Sequence, residues 1–159
     1  MDEKARTGWL GQWELEISEG GKVKEIVPLR PNLITDAGLN MLRGALKGDI
    51  TDCQIKYVGL GNDATTPANN QTTLVAEQFR KIVTSQNVDP VTAGKLYTEV
   101  YIADTEGNDF KCEEVAWFAG SAASATVDTG IMIARVLYSR QKSSTESWTF
   151  RRTDTIQRA

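Results

Sequence analysis

A chain of 159 residues with 40% apolar and 25% charged residues has room for one domain with a real core and none for two of ordinary size. A net charge of −3 argues against a general polyanion-binding surface, so nucleic acid is not an expected partner. The sequence contains no histidine, which removes the commonest general base and metal ligand and excludes Ser-His and Cys-His nucleophile pairs within the chain.

No apolar run approaches the length of a membrane span, so no membrane partner is expected. Met1-Asp2-Glu3-Lys4-Ala5-Arg6-Thr7 lacks the apolar core of a signal peptide, and the chain is expected to be made and kept in cytosol or assembled there. Cys53 and Cys112 have no partner motif and read as buried thiols rather than a disulfide. A zinc site would have to combine them with carboxylates, an uncommon set. No catalytic residue, cofactor or metal is assigned.

Residues 1–11 read as an arm, polar up to Thr7 and then carrying Gly8-Trp9-Leu10-Gly11; the Trp9-Leu10 pair either packs back on its own domain or inserts into a neighbour. Trp13-Glu14-Leu15-Glu16-Ile17 alternates strictly, Glu19-Gly20-Gly21-Lys22 is a tight turn, and residues 23–27 return, which makes a hairpin. Pro28 and Pro31 stop the second strand, and the hairpin is expected to be appended to the main sheet, dividing the chain at residues 1–31 and 32–159.

The best helix begins at Thr35 or Asp36, carries Leu39, Leu42 and Leu46 at helical spacing with Met41 and Ala45 beside them, and closes at Gly48. A partner groove is one reading of that stripe; a helix lying on the domain core is the preferred one. Residues 54–60 form a strand. The run Gly59-Leu60-Gly61-Asn62 lacks the lysine and helix of a phosphate loop, and its glycines instead let the chain leave a strand and pass close to another backbone.

Residues 72–78 read as a helical turn, 79–85 as a strand, 86–94 as a loop and 96–102 as a strand. Asp104-Thr105-Glu106-Gly107-Asn108 is a turn without EF-hand spacing, better read as solvated than as a cation site. Strands at 110–118 and 130–138 flank a small-residue connection. Over 115–118 and 131–134 no polar residue interrupts them, so both faces should be covered. The last strand, 146–156, alternates Trp148, Phe150, Arg152, Asp154 and Ile156 against Ser147, Thr149, Arg151, Thr153 and Thr155, and its polar side must meet water or a polar partner. About eight strands and one firm helix imply a mainly β fold, an antiparallel sandwich or barrel-like (tulip-like) domain.

A carboxylate-based hydrolase would draw on two of Glu77, Glu99, Glu113 and Glu114. Glu113 and Glu114 are adjacent in a strand and point to opposite faces, so they do not form an acid-base couple. A partly buried Glu114–Arg135 or Glu77–Arg80 ion pair is expected instead.

The order of motifs carries a resemblance. Asn32-Leu33-Ile34-Thr35 with Gly38 is followed by Tyr57-Val58-Gly59-Leu60-Gly61, by Thr72 and Leu74 with Glu77 and Arg80, by Glu114-Val115-Ala116-Trp117-Phe118 and by Ala134-Arg135. The chain resembles a family of small tailed-bacteriophage virion proteins, found as tail-fibre or baseplate-associated modules and as capsid decoration proteins. It departs from the family in having Ala116-Trp117-Phe118 where a Gly-Leu-Phe-like tripeptide is usual, and in Arg151-Arg152. The resemblance implies a β-rich domain, often a homotrimer, without catalytic residues, placed in the virion and assembled in host cytoplasm. The expected function is a non-enzymatic decoration protein cementing the major capsid protein. The alternative is a tail-fibre or baseplate adaptor with tail proteins as partners. Trp9, Leu10, Trp13, Glu114, Trp117 and Arg135 are the expected interface residues.

Overall fold

The computed structural model describes residues 8–30 and 33–158. Among them the alternating segments form two antiparallel sheets, built from β1 (Gly8–Glu19), β2 (Lys22–Leu29), β3 (Ile55–Gly61), β4 (Glu77–Ile82), β5 (Ser85–Val88), β6 (Lys95–Ile102), β7 (Lys111–Ala119), β8 (Ile131–Gln141) and β9 (Glu146–Gln157). The larger sheet runs β2-β1-β9-β6-β5 and the smaller β4-β3-β7-β8, a sandwich rather than a closed barrel. Trp13, Leu15 and Ile17 from β1, Trp148 and Phe150 from β9, and Val100 and Ile102 from β6 face Val58, Leu60, Val115, Trp117 and Val136 of the smaller sheet. Trp13 meets Trp117 edge to face across the sandwich, with ring centroids 6.0 Å apart. At one side the chain steps from one sheet to the other between β4 and β5, where Val83 N–H donates to Lys56 O and Thr84 N–H to Glu99 O.

The hairpin is not an appendage. Gly20 and Gly21 take positive φ in its turn, but β1 also pairs with β9 from Gly8–Gln157 to Glu19–Glu146. Trp13, Leu15 and Ile17 need a partner face to bury against, and the shared core supplies it, so residues 8–29 belong to the same sandwich as the rest. Pro31 and Asn32, where the division was expected, and the polar residues 1–7 lie outside the described residues.

Helix α1 (Asp36–Lys47) starts at Thr35, whose Oγ1 accepts from Gly38 N–H at 3.0 Å and donates to Met132 O, and it ends at Gly48 with φ 87°. It lies on β8, and a Cβ at Gly38 would come within 3.2 Å of the Ile133 backbone. The leucine stripe does not lie on the core as expected. Closest approach is through the smallest residue, so Gly38 and Met41 turn inward while Leu39 and Leu46 remain 51% and 92% exposed.

Two further segments differ from the sequence reading. Residues 72–76 are irregular rather than helical, because Val75 N–H and Ala76 N–H donate to the Glu114 carboxylate and not back along the chain. The expected loop at 86–94 begins with β5, a polar strand held by pairing to β6 and by Gln86 Nε2 donating to Thr98 Oγ1.

Candidate interaction surface

Both faces of the smaller sheet are covered over residues 115–118 and 132–134, as the apolar runs require, while Ile131 at the start of the second run is only half-buried. The larger sheet covers one face. Two loops cover the other: residues 62–76 place Leu74, and residues 120–130 place Ala123, against Ala116, Phe118 and Met132. Long loops have many backbone groups to satisfy and little area to bury, so a specific device must hold them.

That device is a pair of buried Glu–Arg clamps. Glu114 on β7 has a fully buried side chain; its Oε2 accepts from Arg135 Nε at 2.7 Å and from Val75 N–H at 3.1 Å, and its Oε1 from Ala76 N–H at 2.8 Å. Arg135 on β8 then reaches into the same loop, Nη1 donating to Thr65 O at 2.7 Å. Glu77 and Arg80 on β4 form the second clamp. Arg80 Nε donates to Glu77 Oε1 at 2.6 Å, and Arg80 Nη1 donates to Ser124 O and Thr129 O at 3.0 and 2.9 Å. Glu77 Oε2 accepts from Asp128 N–H at 2.8 Å, and the guanidinium lies 4.2 Å from the centre of the Phe118 ring. One pair therefore fixes residues 62–76 and the other fixes residues 120–130. Each pair also bonds to loop backbone, which is what lets a buried ion pair hold rather than weaken a fold. Arg80 Nη2 closes a second bond to Glu77 Oε2 at 2.9 Å, whereas Arg135 Nη2 is buried without a partner among the described residues.

The glycines on β3 make room for both carboxylates. A Cβ at Gly61 would collide with Glu114 Oε1 and Ala76 O, and one at Gly59 would stand 2.7 Å from the Phe118 ring and 2.9 Å from Glu77 Oε1. Gly59, Gly61, Glu77, Arg80, Glu114 and Arg135, which sequence order alone grouped, are thus one assembly. The partners they grip, Thr65, the amides of Val75 and Ala76, and residues 124–129, carried no sequence signal, since backbone groups in polar loops look alike.

The expected interface residues divide sharply. Trp13, Trp117, Glu114 and Arg135 are at most 4% exposed and lie in the interior, away from the surface that a contact needs. Trp9 packs back on its own domain, its Nε1 donating to Asp154 Oδ1 at 2.7 Å beside the buried Arg152–Asp154 pair. Leu10 is half exposed.

None of the four carboxylates considered for hydrolysis stands free of a cation: Glu77 and Glu114 are clamped, Glu99 pairs with Arg151 at 3.0 Å, and Glu113 with Lys111 at 2.7 Å. In the turn at 104–108 the nearly buried Lys142 ammonium donates to Asp104 O and Asn108 Oδ1 at 3.1 and 2.9 Å, so a lysine fills the place of a cation. Burial lowers the pKa of Lys142. Among the described residues no cluster of metal-ligating side chains occurs. Cys112 is buried, its thiol pushed up to about 12, while Cys53 is only half-buried; both are free.

Two other surfaces stand out. On the outer face of the larger sheet, a trough of about 770 Å³ has β1, β9 and β6 as its floor. At its centre Arg151 meets Glu16 at 2.6 Å, Glu99 at 3.0 Å and Glu14 at 3.9 Å, so the polar side of β9 is met by its own sheet neighbours. The second is the outward flank of α1, with Leu39 and Leu46.

Among the described residues, no helix is long and apolar enough to cross a membrane. No curated protein and no solved structure matches the chain. The family model for the phage tail-collar fibre protein, N-terminal, matches residues 32–136, which contain α1, the glycine pair and both clamps, and leave out β1, β2 and β9. The match covers well over half of the 159 residues, and the chain belongs to this phage tail-collar fibre family, a structural protein of the tailed-phage virion.

Proposed function

We propose that the chain is a tail-fibre or baseplate-associated adaptor, a domain that docks other tail proteins and performs no catalysis. The observation that carries this reading is the match of residues 32–136 to a tail-fibre family. The geometry supports it: two loops clamped onto the smaller sheet offer a preformed surface, and preformed surfaces lose little entropy on docking. Carboxylates committed to Arg80, Arg135, Arg151 and Lys111 support a structural role over hydrolysis.

Capsid decoration, a homotrimer cementing the major capsid protein, is the competing assignment, and the tail-fibre family weighs against it. A homotrimer would have to form through surfaces other than residues 115–118 and 132–134, which each protomer covers by itself. Quantitative mass spectrometry of purified particles, with gold-labelled antibody in electron micrographs, separates the two. A few copies at the tail bear out the adaptor; hundreds of copies on the head overturn it.

A further inference from the structure

The one helix among the described residues turns its largest apolar residues away from the sandwich. Gly38 and Met41 meet the smaller sheet, whereas Leu39 and Leu46 are 51% and 92% exposed and Leu42 is half-buried beside them. Leu39, Leu42 and Leu46 recur at intervals of three and then four, the spacing with which one helix packs along another. A stripe placed so that its own domain cannot use it is a contact awaiting a partner.

The charges beside the stripe say which partner. Asp36 lies in the first turn, Lys47 in the last and Arg43 between them. At about 100° per residue these three side chains fall within about 40° of one another, along one border of the leucine seam. The helix is therefore acidic at its start and basic toward its end on a single side. We propose that α1 is a self-association surface on which a second copy of this chain docks its own α1 antiparallel, with Leu39 of one copy over Leu46 of the other. That order sets Asp36 beside Lys47 of the second copy, and the two-fold axis makes the same pair again. It also opposes the two helix dipoles. A parallel pair, or three helices around a three-fold axis, would set this charged border against the opposite flank of the neighbour's seam, and Asp36 would not meet Lys47. Lys47 bonds to Asp49 of its own chain at 2.9 Å, but both side chains are largely exposed, and such a pair is exchanged at little cost.

The contact is small. Twelve residues make a helix about 18 Å long, and a seam of that length falls short of the roughly 1,000 Å² that a lasting interface buries. It is weak between free copies and effective between copies already held side by side in a particle, where the second contact forms at high effective concentration. The inference is independent of whether those copies sit on the tail or the head.

Disulfide trapping tests it. Leu39→Cys and Leu46→Cys are made as separate variants in a Cys53→Ser background, with tags of different size, mixed at high concentration and oxidised. Both positions are solvent-exposed, and circular dichroism confirms that each variant folds. Antiparallel docking gives chiefly the mixed 39–46 product. Asp36→Lys lowers its yield several-fold, and Asp36→Lys with Lys47→Asp restores it. A predominance of 39–39 and 46–46 products overturns the antiparallel arrangement. Absence of any disulfide up to the solubility limit overturns the contact.

Discussion

Glu114 and Arg135 can be distinguished from an ordinary buried ion pair by a mutant cycle. In the structure the Glu114 carboxylate accepts three hydrogen bonds, from Arg135 Nε, Val75 N–H and Ala76 N–H. Glu114→Met strands a buried guanidinium and two loop amides together. Removing one partner of such a pair costs about 3–5 kcal/mol, a large share of a domain stability of about 5–15 kcal/mol. Glu114→Met with Arg135→Met removes both charges. Were the two residues only a pair, the double variant would return to within about 1 kcal/mol of the wild type or exceed it. As a clamp it leaves two amides without acceptors, at about 1–3 kcal/mol each, so about 2–6 kcal/mol of the loss persists. Urea denaturation measures the cycle, and amide hydrogen exchange at Val75 and Ala76 shows whether the loop has come away. A double variant as stable as the wild type, with both amides still protected, refutes the reasoning.

Three further outcomes follow from the geometry. Gly61→Ala forces a methyl group against Glu114 Oε1 and Ala76 O, and should lower stability by about 1–3 kcal/mol, read as a fall in Tm, whereas Gly8→Ala, with open space around it, should not. Asp89 is held at about 2 by the Tyr97 hydroxyl and by the amides of Thr92 and Val91. Its folded pKa lies below the unfolded value of about 3.9, so its contribution is complete above about pH 4 and is lost as pH falls toward 2. Asp89→Asn should show a shallower decline in Tm across that window, and an unchanged slope would remove the assignment. At pH 8 a disulfide reagent should titrate the half-buried Cys53 in the native protein and reach Cys112, buried with its pKa pushed up to about 12, only after unfolding.

What the sequence revealed follows the reach of local signals. Strands with long apolar alternation, β1, β6, β8 and β9, and the helix bounded by Thr35 and Gly48 were legible because each is specified by its own residues. β5 was not, since Ser85, Gln86 and Asn87 show no apolar period and are ordered by β6. Residues 72–76 misled because Thr72 is a sound helix cap, yet a carboxylate some forty positions away takes the amides such a turn would use. The two ion pairs were legible for a different reason: Glu113 and Glu114 point to opposite faces of one strand, so one can be solvated while the other needs a cation, and Arg135 and Arg80 were available to partner such glutamates. What they hold could not be read, because backbone atoms carry no side-chain identity. The leucine stripe on α1 showed that a helix has an apolar face but not which way it turns, which Gly38 decides through one close contact with β8.

The pairing of β1 with β9 also sets an order of events. β9 lies between β1 and β6 in the larger sheet, and Trp9 waits for Ile156 as Glu19 waits for Glu146. As the ribosome releases the chain from its N-terminal end, β1 and β2 emerge first and can form only a two-stranded ribbon with Leu15 and Ile17 open to solvent. The smaller sheet, with α1 and both clamped loops, is complete in sequence before β9 exists. Contacts joining residues so distant slow the final collapse. The larger sheet is thus the late half of the molecule: its edge strands are delivered early and its central strand last, and the interval between them is when the nascent chain is most open to wrong partners.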